Sequence, residues 1–173
     1  MTSYMMSNDC AQCYGCRACE QICPQQAVSI RENSEGFLYP EVSWDKCIDC
    51  GLCSRVCPYD AATPTQMPIK AMAVQNKDRE ALLNSSSGGI FSALADYFLS
   101  KNGYIAGCIF DNSFRPIHIL ADKKDMIEKM RGSKYVQSDL KDIYIQIKNC
   151  LKDGKDVLFT GTPCQVDGLN CFL

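Results

Sequence analysis

Two runs of cysteine constrain this chain more than any other feature. CYGCRACEQICP occupies positions 13–24 and CIDCGLCSRVCP occupies positions 47–58, and every matched cysteine and the closing proline are offset by 34 residues. Each run reads C-x2-C-x2-C-x3-C-P. Whatever this region folds into must present eight thiols in two related constellations, a demand that short apolar runs cannot override. Nine of the thirteen cysteines precede position 58, so the first third of the chain is cysteine-dense and the rest is not. That asymmetry divides the protein.

Three thiolates two residues apart on a tight loop can converge on one face of a cubane, while a fourth ligand comes from farther away. In the bacterial form of this run the fourth cysteine ligates the other cluster of a two-cluster protein. The implied assignment is Cys13, Cys16, Cys19 and Cys57 on one 4Fe-4S cluster, with Cys47, Cys50, Cys53 and Cys23 on the other. Gly15 and Gly51 lie inside the loops, where a missing Cβ lets backbone N–H groups turn toward sulfur. Pro24 and Pro58 follow the crossing ligand with φ fixed and no donor to satisfy. Cys10 lies one more x2 step upstream and would permit a shifted register, but the x3-C-P ending selects the one that starts at Cys13. Zinc is the competing reading. Structural zinc sites favour paired C-x2-C units, often with histidine, whereas this chain has triple runs and a single, distant His118.

The formal net charge is −2 and the pI about 5.4, with Lys and Arg dispersed, so no basic footprint for nucleic acid or an anionic membrane is present. The opening MTSYMMSNDC has no charged leader and no apolar core of signal length, and no stretch approaches the roughly 18 apolar residues of a membrane span. A cytoplasmic protein is the expectation. There thiols stay reduced, and dense cysteine points to metal rather than to disulfides.

Residues 1–66 resemble a bacterial-type two-cluster ferredoxin domain. The departure is the spacer between Cys23 and Cys47, where Ala27-Val28-Ser29-Ile30, a turn-rich Asn33-Ser34-Glu35-Gly36 and Phe37-Leu38-Tyr39 predict a β-hairpin over the clusters. Two prolines within positions 63–68 mark a join.

Beyond it, residues 70–75 predict a short strand. Ile90, Phe91, Leu94, Ala95, Phe98 and Leu99 recur at helical spacing, with Lys101 and Gly103 as the closing cation and left-handed cap. Ser87, Gly88 and Gly89 precede this helix. They read either as a phosphate-binding N-terminus or as a serine cap behind a loop. Residues 104–110 and 117–120 predict strands around the turn Asp111-Asn112-Ser113, and Asp122 predicts the cap of a helix through Met130. Arg131 and Lys134 flank Gly132 and could face a phosphate or simply end that helix. A second stripe, Leu140 to Leu151, leads to the strand Val157-Leu158-Phe159 and then to TGTPCQV. There Thr162 suits an N-cap and Pro163 the first helical position. Cys164 falls in the first turn, where thiolate is favoured, although a free cysteine also packs as a small hydrophobe.

Taken in order, SSSGGIFSALADYFL, MRGSKYVQSD and VLFTGTPCQVDGL after a two-cluster domain resemble the beta-subunit family of coenzyme F420 hydrogenases and dehydrogenases. The resemblance implies FAD near Ser87, Gly88, Gly89, Arg131 and Lys134, a further 4Fe-4S cluster involving Cys164, and a redox partner protein or a deazaflavin-type cofactor. It implies an α+β chain: a ferredoxin-type domain at 1–66, then a partial α/β flavoprotein-like domain at 67–173. Family members continue past the GTPCQ segment, so the sequence reads as C-terminally truncated. The expected activity is an iron-sulfur flavoprotein oxidoreductase. The alternative is a ferredoxin-type electron carrier whose second region is a docking module without an active site.

Overall fold

The computed structural model describes Met5, residues 9–61 and residues 70–173. The join expected at 63–68 lies outside them. The chain divides into two compact units, Met1–Pro64 with Gly161–Leu173, and Thr65–Thr160.

In the first unit the sequence repeat is a backbone repeat. Helix α1 (Ala18–Ile22) and helix α2 (Leu52–Arg55) begin 34 residues apart, as the cysteines do. Each is entered through a left-handed residue, Arg17 (φ 59°) or Gly51 (φ 68°). Two residues earlier stands another, Gly15 (φ 68°) or Asp49 (φ 51°). Each cysteine loop therefore requires two left-handed positions, and each half fills one with glycine and one without. A non-glycine residue there costs about 1 kcal/mol. Arg17 offsets this with its Nε–Glu20 Oε2 ion pair at 2.8 Å, and Asp is among the residues that tolerate the region best.

Between the two helices lies the expected hairpin, β1 (Val28–Glu32) antiparallel to β2 (Leu38–Val42), with Ile30 opposite Pro40. Its turn is organised by Asn33, whose Oδ1 accepts from the amides of Glu35 (3.0 Å) and Phe37 (2.9 Å).

The second unit holds helix α3 (Arg79–Leu83), helix α4 (Ile90–Ser100), strands β3 (Tyr104–Phe110) and β4 (Pro116–Ala121), helices α5 (Lys124–Met130) and α6 (Ile143–Lys152), and strand β5 (Val157–Phe159). The sheet order is β4-β3-β5, with β3 antiparallel to β4 and parallel to β5. Helices α4 and α5 pack on one face of the sheet, where Ala95, Ile105, Ile109, Ile127 and Met130 form the core. Helix α6 covers β4 and β5 with Tyr144, Ile143 and Ile147, each at most 2 % exposed. At roughly 1.5–3 kcal/mol per buried aliphatic side chain, these two faces rather than helix propensity hold the unit together.

Helix α7 (Pro163–Phe172) follows, with a Thr162–Gln165 capping box and Pro163 at its start. It packs on α1 and groups with the first unit, whereas the sequence reading kept all of 67–173 together. The physical reason is amphipathic: Leu169 and Phe172 need an apolar partner, and local patterning does not specify which one.

Three local expectations differ from the structure. Residues 70–75 form no strand; instead the Asn76 amide donates to Gly88 O at 2.7 Å and its side chain to Gly89 O at 3.1 Å. The left-handed residue after α4 is Asn102 (φ 56°), not Gly103. Gly103 is required for space, since a Cβ there would meet the carbonyl oxygens of Asp156 and Phe98 at 2.9 Å. Helix α5 is entered from Lys123, one residue after the expected Asp122 and without a side-chain cap.

His118 sits in this sheet at 4 % exposure, stacked on Phe159 at 5.6 Å. Burial lowers its pKa from 6.5, outweighing the bond to Thr160 that raises it. Neighbouring Cys108, opposite His118 in the ladder, is raised by burial and stays a neutral thiol. Below about pH 6.5 the unfolded chain therefore binds a proton that the folded chain resists, and stability falls as pH drops toward the lowered value. Melting temperature measured between pH 7 and pH 5 should fall more steeply for the natural protein than for His118→Gln, which cannot titrate. In a second experiment, Asp49→Gly should raise the thermal midpoint of cluster-loaded protein. Gly51→Ala, whose Cβ would touch nothing but whose φ is wrong, should lower it by an amount equivalent to about 1 kcal/mol.

Candidate functional site

The loops leading into α1 and α2 and the hairpin between them enclose two cavities in the first unit. One is lined by Cys13, Cys16, Cys19 and Cys57, with Ile30 and Pro40 of the hairpin against it. The other is lined by Cys23, Cys47, Cys50 and Cys53, with Val28 and Val42. Cys23 lines the second and not the first, and Cys57 the first and not the second. The last cysteine of each run thus lines the cavity of the other run.

Backbone N–H groups already aim at sulfur. Gly15 N lies 3.4 Å from Cys13 Sγ, and Ala27 N lies 3.3 Å from Cys23 Sγ. The first group is enabled by the left-handed turn at Gly15. Burial pushes the Cys16 thiol up to about 12, and the nearby charges of Cys57 and Cys13 add to the rise. Burial likewise raises Cys19, with Cys16, Cys13 and Cys57 contributing, and raises Cys13 against the opposing Gly15 amide. In the second cavity burial raises Cys53, and Cys23 adds to it. These four thiols resist ionisation in the absence of a compensating charge. A bound polycation reverses the balance and deprotonates the ligands outright.

The type of metal is constrained by spacing. A tetrahedral zinc site with Zn–S near 2.3 Å would bring its sulfurs within about 3.8 Å of one another. Among the described residues no three His, Cys, Asp or Glu side chains converge closely enough to hold a single ion. Each cavity is lined by four cysteines, the ligand number of a 4Fe-4S cluster.

The second unit has its own cavity, lined by residues 72–74, 85–91, 130–133 and Thr160. It brings together Ser87, Gly88, Gly89 and Arg131, four of the residues expected near FAD. Gly88 is there for space, because a Cβ would lie 2.4 Å from Val74 O. Gly89 is the N-cap of the eleven-residue α4, left-handed (φ 72°) and without a side-chain bond, so neither serine capping nor a following cap closes that helix end. Arg131 pairs through Nη1 with Glu128 at 2.8 Å, while its buried Nε has no hydrogen-bond partner among the described residues.

Lys134 is placed differently. Its ammonium donates to the carbonyls of Lys129, Met130, Arg131 and Gly132 at 2.8–3.0 Å, and it does not line the cavity. It closes the C-terminal end of α5 and shapes the Arg131–Gly132 turn from behind, the reading that a cation after a helix also allowed. Cys164 stands in the first turn of α7 with its Sγ 3.1 Å from Thr162 Oγ1, and its charge is felt at Cys13 and Cys16 of the first unit. Cys10 remains exposed and lines neither cysteine cavity.

Thr160 and the hairpin residue Pro40 were not singled out by sequence. Neither were Arg17 and Asp49, although the offset of 34 aligns Arg17 with Gly51 and Asp49 with Gly15, a signal that was available.

Eight cysteines divided between two cavities point to an iron-sulfur electron-transfer protein of the oxidoreductase class. Comparison with protein families agrees. Residues 12–61 match the 4Fe-4S dicluster domain, and residues 71–143 match coenzyme F420 hydrogenase/dehydrogenase, beta subunit N-term. The chain carries these two domains in that order. A comparison with curated proteins returns no match. No helix among the described residues is long and apolar enough to cross a membrane.

The crossing predicts which cluster each substitution removes. Cys57→Ser should abolish the cluster of the Cys13 cavity and Cys23→Ser that of the Cys47 cavity. Each should lower iron from about eight to about four per chain, and two distinguishable reduced spectra should result. Identical residual spectra from the two variants would contradict the partition.

Proposed function

We propose that the protein is an iron-sulfur flavoprotein oxidoreductase that relays single electrons between two 4Fe-4S clusters, FAD and a low-potential partner. Cys13, Cys16, Cys19 and Cys57 hold one cluster, and Cys47, Cys50, Cys53 and Cys23 hold the other. The observation that carries the reading is the division of eight thiols into two cavities with the last sulfur of each run exchanged. Bound clusters exchange one electron at a time and a bound flavin exchanges two, chemistry that belongs to the groups themselves.

What the polypeptide contributes follows from its residues. Ile30, Pro40, Val28 and Val42 keep water from the thiols, and exclusion of solvent is one of the levers on cluster potential. The Gly15 and Ala27 amides donate to sulfur, a second such lever.

Three features favour FAD in the second-unit cavity: the Gly88 cradle, the Arg131 Nε that has no partner among the described residues, and the N-terminus of α4. That helix end presents its first-turn N–H groups at the positive end of the dipole, where a phosphate is stabilised. Ser87, Gly88, Gly89 and Arg131 are the residues proposed to hold it, and Lys134 supports their turn. Cys164 is kept as a ligand of a further cluster. The partner is a redox protein or a deazaflavin-type cofactor, and a reducing, cytoplasmic compartment suits so many free thiols.

Protein reconstituted without oxygen in the presence of FAD should carry iron, labile sulfide and flavin, and should accept electrons from a low-potential donor. Arg131→Ala should weaken FAD binding by about tenfold, the scale of one charge-assisted hydrogen bond, with iron content unchanged. Clusters without any retained flavin would favour a plain electron carrier with a docking module, and zinc without sulfide would reject both readings.

A further inference from the structure

We propose that His118 is a positioning residue: a single imidazole that braces the two walls of the second-unit cavity against each other. The ligand of that cavity rests on the flavin reading above; the brace rests on geometry alone.

The walls come from separate parts of the chain. Residues 131–133 belong to a loop that runs on to Asp139, and Thr160 ends β5. At its far end the loop is tied to β4, with the Asp139 amide donating to Pro116 O and the His118 amide donating to Asp139 O, both at 2.8 Å. Thr160 is tied to β3 by its amide, which donates to Ala106 O at 2.9 Å. His118 joins these two fastenings. Its Nε2 lies 3.0 Å from Thr160 O and its Nδ1 lies 2.9 Å from Ser138 Oγ.

The chemistry of the partners fixes the proton. A carbonyl oxygen only accepts, so Nε2 carries the hydrogen and donates to Thr160. Nδ1 is then a lone pair and accepts from the Ser138 hydroxyl. Both ring nitrogens are thus committed, to residues 20 and 42 positions away in sequence. Burial obliges both nitrogens to find partners, and here each partner lies on a different fastening. Phe159 stacks on the ring at 5.6 Å and holds the imidazole in this plane.

The consequence reaches the cavity through Thr160. Its Oγ1 would stand 3.1 Å from a Cβ at Gly107, and Met130 Sδ would stand 2.8 Å from the same point, so the floor has no slack on that side. The Ser138–His118–Thr160 chain thus ties the loop that carries the 131–133 wall to the residue that forms the opposite wall.

The test uses the full chain, with FAD as the probe, at a temperature well below every variant's melting point. His118→Phe keeps the ring and its stacking and loses both bonds. It should weaken FAD binding about tenfold and speed amide exchange at residues 131–139 and at Thr160 relative to the rest of the sheet. His118→Gln, which can keep a donor toward Thr160, should recover most of the affinity. Ser138→Ala is the milder variant should His118→Phe fail to fold, and it should loosen residues 131–139 while sparing Thr160. A merely structural histidine would lower the melting temperature and leave FAD affinity and the exchange pattern unchanged, which would overturn the proposal. Should the natural protein bind no FAD, the flavin reading fails by itself. The exchange pattern then decides the brace, and uniform exchange across the sheet would refute it.

Discussion

Gathering eight thiols around two cavities is the constraint on which the first unit depends. A sulfur removed from water resists ionisation, as the raised Cys16 shows, and several together resist it more because each charge opposes the next. Without a compensating cation the arrangement is unfavourable, and with iron it becomes a source of folding energy. The fold answers this demand with two short helices, each entered through a left-handed turn, and a hairpin that supplies apolar walls. Cys23 lines the cavity of the second run and Cys57 that of the first, so each half of the repeat contributes to the cavity of the other.

The second unit obeys a different economy. Its sheet has three strands, buried on both faces by α4, α5 and α6, and ordinary apolar burial holds it together. Polar groups are concentrated at one end of that sheet, where a glycine-lined loop, the turn after α5 and the end of β5 surround a cavity. Two residues that look like ligands in isolation take supporting parts. Lys134 spends its charge on carbonyls, and His118 spends both nitrogens on the walls. Pre-set geometry of this kind reduces what a ligand must order on binding.

How far the sequence could be read followed from how local each determinant is. The cysteine loops, the hairpin at Asn33, helix α4 and the capped start of α7 depend on contacts within a few residues, and all were legible. The strand expected at 70–75 was not formed, because an apolar run says nothing about whether a neighbour offers a free edge. Gly103 was mistaken for a conformational glycine when it is a steric one, since Asp156, its obstruction, lies 53 positions away.

The sequence by itself determined the spacing of the sulfurs, the register of the repeat and the class of metal group they suit. Ligand chemistry at gaps of two and three residues is written in covalent distances, and no tertiary contact can alter it. Only the tertiary structure decided that α7 joins the first unit, that Lys134 faces backbone rather than cavity, and that His118 links Ser138 to Thr160. Those outcomes depend on which surfaces meet across dozens of residues, and burial is non-directional. A local pattern can show that a side chain will be covered, but only the assembled fold shows by what.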